Sequence, residues 1–178
     1  MFYWLGLVLV LASWLGGAVL LGKWRNKDFT TISKHAASSY GAHVFFASVL
    51  IVCGALFYVW LLTYLAPNVL YSAVFTALLS LSVLLQFATA IFPDKPGWKR
   101  TVHEYAAWGM ALSWLPMAAL LVGSGSLSDT ARAIAAFCGS YMVITLVVVA
   151  GFRKGKFLTY QALYVVAFQL ALLAAVYL

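Results

Sequence analysis

Charge is what this chain has least of. Its 178 residues include only 4 acidic and 11 basic side chains. The charged fraction is 8%, where soluble proteins average roughly 25%. So few charges cannot cover a surface that meets water on every side, and a soluble globular domain is excluded. Cysteine is nearly absent too. Cys53 and Cys138 each lie inside an apolar run, with no Cys-x-x-Cys and no Cys/His zinc spacing, so both read as small buried hydrophobes. The chain has no glycine-rich phosphate loop, no G-x-S-x-G elbow, no HExxH and no repeated acidic run, which leaves soluble-type catalysis without a motif. No basic residue precedes the first apolar run. That run is also longer than a signal-peptide core, so it reads as a retained first helix.

What fills the chain instead is apolar sequence, 65% of the residues, at a mean hydropathy of +0.99. About twenty apolar residues are needed to cross the hydrocarbon as a helix. Six stretches qualify: 2–22, 43–66, 70–92, 102–123, 131–152 and 158–178. Continuous apolar runs exclude a β-barrel, whose strands alternate. With no internal repeat or linker, residues 1–178 read as one all-α domain, a six-helix polytopic bundle.

The net charge of +7 would suggest nucleic acid in a soluble protein. Here the basic residues sit in short connections, which fits topology and anionic lipid head groups rather than nucleic acid. Lys23, Arg25, Lys27 and Lys34 occupy the first connection, Lys95, Lys99 and Arg100 the third, and Arg153, Lys154 and Lys156 the fifth. The second has no charge, and the fourth has Arg132 against Asp129. The positive-inside rule then predicts a multi-pass cell-membrane protein with cytoplasmic basic connections and both termini outside.

The third connection begins where "FPDKPGWKRTVHEYAAW" interrupts the apolar sequence. Pro93 is expected to stop the third span, and Pro96 with Gly97 to make the turn. Trp98 suits the head-group level. Thr101-Val-His-Glu104 has the form of a capping box opening the fourth span. In the first connection Phe29, Ile32, Ala36 and Tyr40 form an apolar stripe, consistent with a short helix in the interface.

The predicted orientation gathers polar residues at one level: His35, His43, Asp94, His103 and Glu104, with Gln86 and Thr89 deeper on one face of the third span. Three readings follow. The layer is structural, supplying caps and interhelical hydrogen bonds. Or it is a pocket for a lipid head group or small polar molecule, with Lys95, Trp98, Lys99 and Arg100 as head-group contacts. Or it is a metal site that activates water in a membrane-embedded enzyme acting on head groups. A haem held by His43 and His103, in a b-type redox subunit, is a variant of the last. Membrane lipids are the expected partners; oligomeric state is not legible.

Two segments, "ISKHAASSYGAHVFFASVLIVCGALF" at 32–57 and "FATAIFPDKPGWKRTVHEYAAW" at 87–108, resemble a bacterial and archaeal six-helix membrane family of unknown function. That family is related to the Frag/DRAM/Sfk-like superfamily. Its pattern is a polar Ile-Ser segment, then Phe-Pro-x-Asp or similar, then His and small residues. Here it falls on Ile32, Ser33, Phe92, Pro93, Asp94, His103 and Ala106. The family's acidic residue after the Ile-Ser pair is replaced by Lys34 and His35. The resemblance implies a six-helix bundle, and the lipid-handling and trafficking associations of eukaryotic relatives imply a lipid ligand.

Overall fold

The computed structural model describes residues 2–26, 31–152 and 157–178. Lys27, Phe29, Arg153, Lys154 and Lys156, named above, lie outside the described residues. Six long helices are present: α1 (Leu5–Lys23), α3 (Tyr40–Tyr64), α4 (Ser72–Ile91), α5 (Trp98–Gly123), α6 (Asp129–Phe152) and α7 (Phe157–Tyr177). A short helix, α2 (Ile32–Ala36), precedes α3, and a 3₁₀ turn (Ala66–Asn68) follows it. Each long helix is long and apolar enough to cross a membrane. Large apolar side chains such as Val52, Leu84, Phe137 and Val147 stay exposed on the outer surface, which suits a surrounding of lipid.

Consecutive spans pack against one another in chain order, and α7 returns to touch α1. Successive spans reverse direction, so the first and third connections share one end, called the basic end below. The termini and the second and fourth connections share the opposite end.

That opposite end is tightly packed. Trp60, Leu61, Leu65, Phe75, Met117, Leu121, Met142 and Leu172 are almost wholly buried there. The two termini are clasped together by aromatic side chains. Tyr177 Oη donates to the Tyr3 carbonyl at 2.8 Å and Tyr3 Oη to the Val176 carbonyl at 2.9 Å. Trp60 Nε1 also donates to the Tyr3 carbonyl, at 3.0 Å. Gly6 makes this possible, because a Cβ there would lie 2.4 Å from the Trp60 ring. The connections are tied as well: Leu70 N–H donates to Ser124 Oγ at 2.7 Å, and Ser126 Oγ donates to the Asn68 carbonyl.

At the basic end two local expectations are corrected. Thr101 and Glu104 do not form a capping box. α5 starts earlier, at Trp98, with Gly97 as its N-cap at φ +106° and no side-chain cap. Glu104 instead accepts from Arg100 Nε at 2.7 Å, one helical turn back. The apolar stripe of the first connection is also divided. Ile32 and Ala36 belong to α2, capped by Thr31 Oγ1, which accepts from Lys34 N–H at 3.1 Å. Tyr40 is the first residue of α3 and is exposed, beyond Ser39, whose Oγ caps that helix by accepting from Ala42 N–H.

Candidate functional site

From the basic end a cavity reaches deep into the bundle. It measures about 410 Å³ and runs between α1, α3, α4, α5 and α7, beneath α2. Small-molecule sites span roughly 300–1,000 Å³. Its walls are mainly apolar and carry many small residues, among them Gly17, Ala18, Ala47, Gly54, Ala107 and Ala162. Along α3 the lining extends from His43 to Leu61. At about 1.5 Å rise per residue this is roughly 27 Å, close to the ~30 Å hydrocarbon thickness. The cavity is therefore a slot, with its polar residues concentrated toward the basic end.

His103 is held there by a defect in α4. The Thr89 carbonyl would normally accept from the backbone N–H four residues on, but residue 93 is proline and has none. His103 Nδ1 supplies the missing donor, 3.2 Å from the Thr89 carbonyl and 2.8 Å from that of Phe92. Because both partners only accept, the proton must be on Nδ1. The side chain is buried, with 7% of the residue exposed, and it lines the slot. Among the described residues nothing hydrogen-bonds Nε2, and no fully enclosed side-chain nitrogen lacks a partner. Nε2 therefore keeps accessible surface.

Asp94 follows Pro93 and also lines the slot, its side chain 11% exposed. Its nearest cation is Arg100 Nε at 3.6 Å, beyond hydrogen-bonding distance. Arg100 is engaged by Glu104 instead. His43, in the first turn of α3, lines the slot with no hydrogen-bond partner among the described residues.

Gln86 lies deeper. Its Nε2 donates to the Leu50 carbonyl at 2.8 Å, stapling α4 to α3. Gly54 leaves room for that amide, since a Cβ there would sit 2.3 Å from Nε2. Thr89 Oγ1 is spent on the Gln86 carbonyl at 2.7 Å.

The structure thus brings His43, Gln86, Asp94 and His103 to one slot and separates the other candidates from it. Glu104 points outward with Arg100. His35 is buried, with Nδ1 2.8 Å from the Thr31 carbonyl, but does not line the slot. Lys95, Trp98, Lys99 and Arg100 are exposed and lie outside the lining; Lys99 extends toward the Trp98 ring at 6.0 Å from its centroid. Among the described residues no three His, Cys, Asp or Glu side chains are grouped to hold a metal ion. His103 has only Nε2 to offer a metal or haem.

Sequence reasoning missed two polar residues on the slot's α7 wall. Gln161 Oε1 accepts from Ile32 N–H at 3.1 Å, tethering α2 to α7. Gln169 Oε1 accepts from Trp14 Nε1 at 2.5 Å, and its Nε2 donates to Ser13 Oγ at 3.3 Å. Two glutamines eight residues apart share a helix face, and glutamine inside a span is itself a signal. Comparison with family models, with curated proteins and with solved structures finds no match.

Proposed function

We propose that this chain is a multi-pass cell-membrane protein that holds a lipid or amphipathic small molecule. The apolar part occupies the slot, and the polar part sits among His43, Asp94 and His103. The basic residues in the first and third connections favour placing that end in the cytoplasmic leaflet, because anionic head groups and the positive-inside rule act in the same direction.

The observation that carries this reading is the asymmetry of the bundle. The opposite end is packed, while from the basic end a slot with mainly apolar walls reaches deep into the bundle, its ionisable His43, Asp94 and His103 lying at that end. Apolar walls of this kind offer dispersion contacts along their length to an apolar chain. A ligand with a long apolar part and a compact polar head has the matching profile. The resemblance to the Frag/DRAM/Sfk-like relatives points the same way.

Native mass spectrometry of gently extracted protein tests this. The wild-type chain is expected to retain an amphipathic adduct. Ala47→Phe with Ala107→Phe, which fills the slot from α3 and α5, is expected to lose it while remaining folded. A bare wild-type protein, or an adduct that survives the filling, would contradict the proposal.

A further inference from the structure

The slot's charge is unlike that of the end it sits in. Lys23, Arg25, Lys34, Lys95, Lys99 and Arg100 all belong to the basic end, yet the slot lining contains no lysine or arginine among the described residues. Its ionisable side chains toward that end are His43, Asp94 and His103. This matters because phosphate recognition relies on charge-assisted hydrogen bonds from Arg, Lys or backbone N–H groups. Here a phosphate would meet the Asp94 carboxyl group instead.

The three groups are weighted toward accepting. Asp94 is acceptor-only when ionised, and its nearest cation is too distant for a hydrogen bond. With Nδ1 donating to the α4 carbonyls, the uncharged tautomer of His103 carries its lone pair on Nε2. The lining also holds donors: Ile32 N–H fixes the Gln161 amide by its oxygen and leaves Nε2 unpartnered among the described residues. An ammonium head would satisfy the acceptors but has no lone pair to offer the Gln161 amide. A neutral hydroxyl gives a proton to Asp94 or His103 Nε2 and accepts one from Gln161, without adding charge.

Resting on the proposed lipid-holding role, we propose that the slot selects a neutral lipid alcohol, an amphiphile whose head is a hydroxyl, over its phosphorylated counterpart.

Two probes with the same tails separate the heads: dioleoylglycerol and dioleoyl phosphatidic acid, added together to the full chain in mild detergent and read by native mass spectrometry. Dioleoylglycerol is expected to be favoured about tenfold or more, the equivalent of one or two buried hydrogen bonds left unmade. The double variant His43→Phe, Asp94→Asn, with melting temperature monitored to confirm folding, is expected to lose most of that preference. Free glycerol is expected not to compete, because it has no tail for the slot. Equal or stronger binding of phosphatidic acid would overturn the head-group assignment and leave the lipid-holding role intact. A preference unchanged in the folded double variant would also overturn it, as would competition by glycerol. Retention of neither lipid would overturn both.

Discussion

Gly6 and Gly54 each let a larger side chain press against a helix backbone, but they differ in what presses. At Gly6 it is the buried Trp60 ring, 2.4 Å from where a Cβ would stand. A ring enclosed on all sides cannot step aside, so Gly6→Ala is expected to cost about 1–3 kcal/mol by overpacking. At Gly54 the neighbour is the end of the flexible Gln86 side chain, which can swing away if it gives up the Leu50 carbonyl. Gly54→Ala should then cost about 1 kcal/mol, typical of one interhelical hydrogen bond in a membrane. Combining it with Gln86→Leu should cost clearly less than the sum of the two, because the same bond is removed twice. Unfolding free energies of the single and double variants check both statements. Strict additivity at Gly54 and Gln86 would contradict the staple.

Among the elements, the start of α5 shows what the sequence made legible and what it hid. Pro93, Pro96 and Gly97 announced a break and a turn, and α4 does end just before Pro93. Thr101 and Glu104 had capping-box spacing, yet the three residues before Thr101, Trp98, Lys99 and Arg100, carry no apolar period that decides between loop and helix. Gly97 decided it, through a φ of +106° that residues with a Cβ rarely adopt. Gly97→Ala is therefore expected to destabilise by roughly 1–2 kcal/mol. Thr101→Ala, now an exposed helical position, should leave stability near wild type. Matching losses in a thermal unfolding series would restore the capping box. The six spans were readable because hydropathy depends on composition alone. The slot was not, because it depends on how the helices are rotated about their axes. Small residues such as Ala47, Ala107 and Ala162 line it, and in membrane helices the same residues equally signal close packing. His103 was visible as a candidate, but the link from Pro93 to its Nδ1 needed the distances.

For the whole molecule, the segregation of basic residues to one end gives a direct orientation test. In a Cys53→Ala, Cys138→Ala background, Ser126→Cys lies at the opposite end and Lys95→Cys at the basic end, both exposed. An impermeant thiol reagent applied to intact cells is expected to label the first and spare the second until the membrane is opened. The reverse pattern would invert the orientation and move the slot's polar end to the outer leaflet. The bundle itself is tied together at both ends. The terminal clasp of Tyr3, Trp60 and Tyr177 keeps α1 and α7 together at the packed end. α2, tethered through Ile32 to Gln161, spans the same pair at the basic end. Between these two ties the walls are free to enclose a ligand.

The central claim is that a lipid tail lies inside the bundle rather than around it, and photocrosslinking reads this directly. A diacylglycerol carrying a diazirine near the tail end, irradiated with the protein in detergent and mapped by peptide mass spectrometry, reports which side chains the tail touches. The account predicts adducts on inward residues of several helices at once, such as Leu50, Leu79 and Val165, all in the slot lining. Adducts confined to outward residues such as Leu84, Phe137 and Val147 would show that the lipid only coats the surface, and would contradict it.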